Sequence, residues 1–253
     1  MLEQLDHDDI REIRLARPPV NAIDAEMMLA VQGALDKAAG DGVSGVILSG
    51  RPGLFSAGLD IPSLLMLDRD AILEFWRSFF RVLKTLASFP VPVFAAIGGH
   101  NPAGGTVFAI FCDRRIAAKG DFKMGLNEVA VGLALPPPIF YAYRSLLGQR
   151  EAERLAVVGA MITPDEALDC GLVDELCEPD DVVTTALVRI RQMLESPNRA
   201  MLVTRAIARQ PLMDIFDQLD KGAVEEITDG WFGEETQRVL GELVASLGKK
   251  EGS

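Results

Sequence analysis

The sequence predicts an α/β protein with a helical C-terminal part. Up to about residue 135, short apolar runs alternate with segments of helical periodicity, and beyond that point the periodic segments are helical. A chain of 253 residues, 49% of them apolar, is long enough to bury the core of one large domain. We therefore expect an α/β core over residues 1–195 and a helical region over residues 196–253.

Three apolar runs in the first half are predicted strands. Ile10–Leu15 alternates apolar and charged residues and is stopped by two prolines, which is typical of an edge or early strand. Val46–Leu48 is a short buried strand that Gly50–Gly53 closes with turn residues. Val91–Ile97 is another apolar run. These three segments are expected in the sheet of the core.

Two helices are predicted between these strands. The first is capped by Asp24 and ends before Gly40, with Met28, Val31 and Leu35 on one face. The second spans 72–86, and its apolar positions recur at helical spacing.

The second half carries clear helix boundaries. Thr163-Pro164-Asp165-Glu166 is a capping box with proline at the first helical position, and Gly171 ends that short helix. Ser196-Pro197 opens another helix. A last amphipathic segment could pack on the body or on a neighbouring subunit; its apolar side carries Val239, Leu240, Leu243, Val244 and Leu247.

Charge and cysteine content exclude several classes of function. The formal net charge of −12 would repel a phosphate backbone, so nucleic acid is not an expected partner. The three cysteines form no CxxC pair and are odd in number, which argues against a disulfide framework and against a metal site. The acidic start shows no targeting segment, and no apolar run could span a bilayer. We expect a cytoplasmic protein.

Two glycine-bearing turns follow two of the predicted strands, at 55–60 and at 98–105. Small residues such as Ala57 and Gly104 would let a ligand oxygen reach the backbone amides. Gly104 also lies where a helix is expected to begin, and the N-terminus of a helix favours negative charge. Two converging amides would form an oxyanion hole. The spacing alone favours an ordinary strand-to-helix turn, and neither turn matches a nucleotide or serine-hydrolase motif.

The order of several motifs resembles the enoyl-CoA hydratase/isomerase, or crotonase, family. The resemblance rests on Arg17–Ala22, Phe55–Ile61, Asn101–Gly105 and Cys112-Asp113. Further stretches resemble the mitochondrial Δ3,Δ2-enoyl-CoA isomerases within that family, namely Gly125–Gly132, Arg150–Arg154 and Glu166–Asp174.

This resemblance implies a crotonase-like fold of repeated β-β-α turns, with C-terminal helices that mediate a homotrimer or a dimer of trimers. It also implies an oxyanion hole formed by the N–H groups of Ala57 and Gly104. Hydratases of the family carry one glutamate three residues after the second donor and another in the following loop. Here the first position is Val107, and only the second, Glu128, is acidic.

That departure favours an isomerase. Water addition needs groups that activate water and protonate carbon, and Val107 can do neither. Moving a double bond needs one group, which takes a proton from C2 of a 3-enoyl thioester and returns it at C4. Glu128 would suffice, and its neighbours Val107, Leu126 and Val129 should raise its proton affinity. The predicted reaction converts 3-enoyl-CoA to trans-2-enoyl-CoA in fatty-acid β-oxidation. CoA would be part of the substrate, with no separate cofactor.

Other residues complete the predicted site. The expected substrate-binding residues are Val20, Ser56, Asp60, Ile61, Pro102, Val107 and Leu133. Asp60 also suits the cap of a helix beginning at Ile61, and no catalytic role is expected for His100. The pocket walls are expected from 64–80 and 133–138.

Alternative functions remain open at this stage. An enoyl-CoA hydratase, or another acyl-CoA enolate reaction such as hydrolysis or decarboxylation, could use the same hole. A non-catalytic protein that binds CoA esters is the alternative of a different class, although such a binder has no need for Glu128.

Overall fold

The computed structural model describes residues 1–219 and 221–251, with side chains over 1–219 and 222–246. Its strands are β1 (Leu2–His7), β2 (Ile10–Leu15), β3 (Gly45–Ser49), β4 (Gly53–Leu54), β5 (Val93–Ile97), β6 (Gly99–Pro102), β7 (Arg114–Ala118), β8 (Met124–Gly125) and β9 (Glu175–Cys177). Its helices are α1 (Ala25–Asp41), α2 (Ile61–Leu64), α3 (Arg69–Ser88), α4 (Gly104–Ile110), α5 (Pro137–Leu147), α6 (Gln149–Ala156), α7 (Pro164–Asp169), α8 (Val182–Leu194), α9 (Asn198–Gln218), α10 (Lys221–Trp231) and α11 (Glu234–Glu251). Two short 3-10 turns cover Val129–Val131 and Pro179–Asp181.

The strands form two sheets. The larger has the order β1-β2-β3-β5-β7-β9 and is parallel except for the antiparallel pair β1–β2. The smaller has the order β4-β6-β8 and is parallel. Successive repeats thus place one strand in the large sheet and the next in the small sheet. This architecture confirms the predicted α/β fold of repeated β-β-α turns.

The large sheet is covered on both faces, which explains why its inner strands are apolar throughout. On one face, Val46 and Leu48 join the main core with α1 and α3. On the other face, Ile47 and Phe94 pack with residues of α8 such as Ala186 and Ile190. The sheet therefore forms a rigid base from which the small sheet and its turns project.

Several predicted element boundaries are confirmed. Asp24 caps α1 by accepting the N–H of Met27, and the capping box at Thr163 is present on α7. The helix predicted over 72–86 lies within α3.

Ile10–Leu15 is the early strand of the prediction and not an edge strand, because Leu2–His7 pairs with it and forms the edge itself. Two expectations about the elements were wrong. Gly40 lies inside α1, and the left-handed cap is Gly42, with φ of 70°. The second half also contains the strand β9, which has only three residues and is too short to show an alternating pattern.

The C-terminal helices share the main core, because Phe216, Val224, Trp231 and Leu240 belong to it. The last amphipathic segment packs on the body through Leu240, which is buried, while Leu243 and Val244 pack against the core at its edge. The side chain of Leu247, assigned to the same face, lies outside the described residues. The predicted division at residues 195 and 196 stays a prediction.

Candidate active site

The site lies where the two glycine-bearing turns meet. The parallel pairing of β4 with β6 sets the turns side by side. Gly58 has φ of 89°, and a Cβ built on it would lie 2.9 Å from the Cβ of Ala103 and 3.3 Å from the amide nitrogen of Gly104. A side chain at position 58 would push the turns apart. Glycine is therefore required here both for its conformation and for the close approach of the two backbones.

The N–H of Gly104 donates to no acceptor in the described part of the chain and is one free amide. Gly104 is the first residue of α4, where backbone N–H groups have no acceptor within the helix. Ala103 precedes it with φ of 47° and ψ of −122°, a conformation rarely adopted by a residue with a side chain, and the N–H of Ala103 donates to the carbonyl of Gly125 at 2.8 Å. Backbone strain of this kind is characteristic of functional sites. The prediction that the N–H of Gly104 is an oxyanion donor is therefore compatible with the geometry.

The prediction that the N–H of Ala57 is the other donor is wrong. Its N–H donates to the carbonyl of Val20 at 3.0 Å and is not available to a ligand. Two residues on, the N–H of Leu59 donates to none of the described residues. A Cβ built on Gly104 would lie 3.5 Å from the amide nitrogen of Leu59, so these two amides are neighbours. The geometry therefore assigns the second free amide to Leu59.

The sequence could not separate these two amides. Both flank Gly58 in the same turn, and only the tertiary structure shows which is used by the fold. The isolated bridge between Ile23 and Leu59 employs the carbonyl of Gly58 and the N–H of Asp60. It leaves the N–H of Leu59 unpaired, because in a parallel bridge the N–H of the bridging residue points away from its partner.

Two cavities meet beside these amides. The inner cavity, of about 380 Å³, is walled mainly by apolar side chains and is lined by Gly104. Those walls include Trp76, Phe79, Val107, Leu135, Ile139, Ile227 and Trp231. The outer cavity, of about 730 Å³, is lined by Ala57 and by residues of both turns. Leu59, Glu128 and Leu133 line both cavities and so mark the junction.

Glu128 lies at this junction and is buried, with 9% of its surface exposed. It begins the 3-10 turn Val129–Val131. Its Oε2 atom is buried and has no hydrogen-bond partner among the described residues. Burial raises the pKa of Glu128 to about 7, because the charged form loses hydration without gaining a cation. The predicted rise in proton affinity is confirmed.

The neighbours responsible are partly those predicted. Val107 and Leu126 are each 1% exposed, and Val107 faces the inner cavity as expected. Val129 is 42% exposed and lines neither cavity, so its predicted contribution to the apolar surroundings is wrong. A residue that follows Glu128 in a tight 3-10 turn is carried to the solvent side.

Most of the predicted substrate-binding residues line the outer cavity. These are Val20, Asp60, Ile61, Pro102 and Leu133. Ser56 lines neither cavity, because it is fully buried and its hydroxyl is used inside the turn. That hydroxyl donates to the carbonyl of Asn21 at 2.7 Å and accepts the N–H of Gly58 at 3.1 Å. Ser56 shapes the turn and does not contact either cavity.

Asp60 caps α2 as predicted, accepting the N–H of Ser63 at 3.2 Å. Its other oxygen pairs with Arg17 at 2.7 Å. Burial raises the pKa of Asp60, but the bonds from Arg17 and Ser63 outweigh burial and the pKa is lowered. Asp60 therefore remains charged beside the outer cavity. His100 lines neither cavity, and its Nδ1 accepts the N–H of Lys123 at 3.1 Å.

The C-terminal helices contribute residues that sequence analysis did not assign to the site. Trp231 and Thr236 line the inner cavity, and Leu243 and Val244 line the outer one. Only their amphipathic spacing was visible in the sequence, and this pattern does not reveal which surface a helix covers. The predicted wall segments do contribute, through Trp76 and Phe79 and through 133–137.

One buried carboxylate, two free backbone amides and an apolar cavity define a class of enzymes that remove a proton from carbon next to a carbonyl group. The particular family follows from comparison with known proteins. The chain belongs to the enoyl-CoA hydratase/isomerase family, whose model matches residues 6–221.

Similar proteins include isomerases and hydratases. The mitochondrial enoyl-CoA delta isomerase 1 of Rattus norvegicus is 29% identical over 255 residues, covering 100% of this chain and 88% of the relative. The Homo sapiens protein of that name is 33% identical over 201 residues, covering 78% and 67%. A probable enoyl-CoA hydratase of Mycobacterium avium is 33% identical over 194 residues, covering 76% and 75%.

Solved structures confirm the crotonase-like fold. The crystal structure of human mitochondrial Δ3,Δ2-enoyl-CoA isomerase matches with a TM-score of 0.94 at 28% identity and covers 98% of each chain. The protein is thus an enzyme of this family, similar to isomerases over its length. Within residues 1–219 and 221–251, none of the helices is both long enough and apolar enough to cross a membrane.

Proposed function

We propose that the protein is a Δ3,Δ2-enoyl-CoA isomerase that converts 3-enoyl-CoA to trans-2-enoyl-CoA. The observation that carries this proposal is Glu128, the buried carboxylate of the inner cavity among the described residues, beside the free amides of Leu59 and Gly104. The family resemblance and the isomerase relatives support the same reaction. Fatty-acid β-oxidation is the corresponding metabolic context.

The two amides would act on the thioester oxygen. Removal of a proton from C2 leaves an electron pair that delocalises into the carbonyl and builds negative charge on oxygen. The N–H groups of Leu59 and Gly104 are fixed by the fold and need no reorganisation to stabilise that charge. One donor of this kind typically contributes on the order of 10²–10³ in rate.

Glu128 would move the proton. Its carboxylate takes the proton from C2, the C3–C4 double bond shifts to C2–C3, and the same carboxyl group returns the proton at C4. A pKa of about 7 suits both halves of this transfer at neutral pH. The reaction consumes no water and needs no cofactor, with CoA as part of the substrate.

Val107 favours isomerisation over hydration. It is 1% exposed and lines the inner cavity at the position where family hydratases carry a second glutamate. Its side chain can neither activate water nor donate a proton. The apolar wall around it also keeps water from competing for the enolate.

The two cavities suggest how the substrate lies. The inner cavity, with its apolar walls, suits the acyl chain, and the larger outer cavity suits the pantetheine part of CoA. The thioester would then lie at the junction formed by Leu59, Glu128 and Leu133.

The test is a direct assay of purified protein with 3-hexenoyl-CoA and, separately, with 2-hexenoyl-CoA. We expect conversion of the first to the 2-enoyl product and little hydration of the second. The matched variant is Glu128→Gln, which keeps the shape of the side chain and should lose the conversion. Efficient hydration of 2-hexenoyl-CoA would instead identify a hydratase, the activity named for the mycobacterial relatives.

We propose a homotrimer or a dimer of trimers, as the family resemblance implies. In support, α8 and α9 expose apolar side chains, with Val188 45%, Val203 52% and Ile207 68% exposed. Light scattering coupled to size-exclusion chromatography tests this, and a monomer would contradict it. The cytoplasmic location remains a prediction, since the mammalian relatives are named as mitochondrial proteins.

A further inference from the structure

The turn that carries Glu128 is a closed unit. The carbonyl of Glu128 accepts the N–H of Val131 at 3.0 Å and the N–H of Leu133 at 2.9 Å. The N–H of Gly132 donates to the carbonyl of Val129 at 3.1 Å, and Gly132 has φ of 78°. These bonds fix the residues of the turn relative to each other. They do not fix the turn relative to the rest of the protein.

Part of that second constraint is the close approach of Gly159, where an added Cβ would lie 2.8 Å from the amide nitrogen of Ala130. The hydrogen-bonded part comes from helix α11. The hydroxyl of Thr236 donates to the carbonyl of Gly132 at 2.7 Å. The backbones are also in close contact, because a Cβ built on Gly132 would lie 3.4 Å from the Cα of Thr236. Thr236 is 7% exposed and lines the inner cavity. The first turn of α11 therefore holds the turn of Glu128 at the cavity wall.

Resting on the function proposed above, we propose that Thr236 is a positioning residue for Glu128: its hydroxyl fixes the turn 128–133 against α11 and thereby the direction of the Glu128 carboxylate. A carboxylate that must reach both C2 and C4 of one substrate tolerates little change in direction. Its own side chain supplies little of that constraint, because Oε2 has no hydrogen-bond partner among the described residues and the hydrogen bond that lowers the pKa of Glu128 comes from its own backbone. The restraint has to act on the backbone that carries it.

A matched control exists in the neighbouring helix. Thr228 of α10 is also buried, at 0% exposure, and its hydroxyl donates to the carbonyl of Val224 within the same helix at 2.8 Å. Among the described residues it makes no hydrogen bond to the turn of Glu128, and it lines neither cavity. Thr228→Val removes a buried threonine hydroxyl from α10, just as Thr236→Val removes one from the following helix, α11. Any general loosening of the C-terminal helices is therefore common to both variants.

The experiment compares Thr236→Val, Thr236→Ser and Thr228→Val with the unmodified protein. Misplacing a catalytic group by about 1 Å can cost about 100-fold in rate, so we expect Thr236→Val to lower kcat by about 10- to 100-fold on 3-hexenoyl-CoA. KM should stay within about twofold, because the substrate is not bound by the hydroxyl in this proposal. Thr236→Ser should restore kcat, and Thr228→Val should leave it unchanged.

Amide hydrogen exchange gives a readout that does not depend on activity. The N–H groups of Val131 and Leu133 should exchange faster in Thr236→Val than in Thr228→Val, because the turn loses its external restraint. Equal exchange in the two variants, or equal kcat, would overturn the proposal. A raised KM with unchanged kcat would also overturn it, since Thr236 would then contact the acyl chain. If the unmodified protein does not convert 3-hexenoyl-CoA, the proposed function fails, and hydrogen exchange alone decides whether Thr236 holds the turn.

Discussion

Among the side chains that the structure describes, two glutamates are buried, and they differ in almost everything else. Glu12, on β2, is fully buried. It accepts hydrogen bonds from Ser49 at 2.6 Å, from His7 at 2.8 Å and from Arg14 at 3.0 Å. Glu128 is 9% exposed, has one oxygen without a partner, and lies against apolar side chains. The first belongs to the scaffold and the second to the active site.

The comparison shows that burial alone does not make a base. Burial raises the pKa of Glu12, but the hydrogen bonds from Ser49 and His7 and the charge of Arg14 outweigh it, so the pKa is lowered. At Glu128 burial is opposed only by a hydrogen bond from the residue's own backbone, and the pKa rises to about 7. A carboxylate with both oxygens hydrogen-bonded is stable but inert towards a carbon acid. The missing partners of Glu128 are what make it reactive.

Replacing Glu128 should have the largest effect on activity. Glu128→Gln removes the proton acceptor and keeps the volume, and general acid–base groups contribute on the order of 10²–10⁴ in rate. We expect kcat/KM for 3-hexenoyl-CoA to fall by that factor, measured by steady-state kinetics. Glu12→Gln is the comparison and should retain activity at temperatures where it stays folded. Comparable losses in both variants would contradict the distinction.

Closing the gap between the two amides should have the next largest effect. In Gly104→Ala, the new methyl group would lie 3.0 Å from Cδ1 of Ile23 and 3.5 Å from the amide nitrogen of Leu59, where the thioester oxygen must bind. We expect kcat/KM to fall on the order of 10²–10³. Gly33→Ala is the control, because its Cβ would meet nothing within 4 Å. Retained activity in Gly104→Ala would show that the thioester oxygen does not bind between these two amides.

The pH dependence should follow the ionisation of Glu128. The base form is required and its pKa is about 7, so kcat/KM should rise about tenfold per pH unit below that value and level off above it. Between pH 5 and pH 7 the gain is about 50-fold. An inflection near the ordinary pKa of a glutamate would mean that the buried site gains solvent or a cation in solution.

The two glutamates should affect stability with opposite signs. The folded protein binds the Glu128 proton more tightly than the unfolded chain does, so this group's contribution is fully present below the unfolded pKa and is lost as pH rises towards 7. Glu128→Gln should therefore stabilise the fold at pH 8 by up to about 3 kcal/mol. Because the pKa of Glu12 is lowered, its contribution is present above the unfolded pKa and is lost as pH falls through the folded pKa.

Glu12→Gln should accordingly destabilise the fold at pH 8. It places an amide among three donors and should cost about 1–3 kcal/mol, or a Tm lower by about 2–12 °C. Urea unfolding and thermal scans of both variants measure the pair. Two shifts of the same sign would show that the different hydrogen-bond partners of the two glutamates do not explain the difference in their pKa values.

The sequence already contained most of the chemistry of the site. Glu128, Gly104 and Val107 were found from their spacing and from the family resemblance, and the predicted rise in the pKa of Glu128 follows from its apolar neighbours. The start of α7 was also predictable from the sequence, because the capping box at Thr163 depends on residues only three positions apart.

Other features depended on distant contacts. The choice of Leu59 over Ala57 as a free amide was decided by the carbonyl of Val20, which belongs to another segment and takes the N–H of Ala57. The role of Ser56 was likewise decided by the carbonyl of Asn21. The residue pattern within one turn does not predict which of its N–H groups will donate to a carbonyl of a distant segment.

The sequence by itself therefore determined the α/β class and the family and pointed to Glu128 as the proposed acid–base residue, because these depend on residue type and on short-range order. Only the tertiary structure decided which amides stay free, which helices wall the cavities, and that Thr236 touches the turn of Glu128. Such features arise where segments far apart in the chain are brought within hydrogen-bond distance, and the free energy of that packing is shared by the whole core.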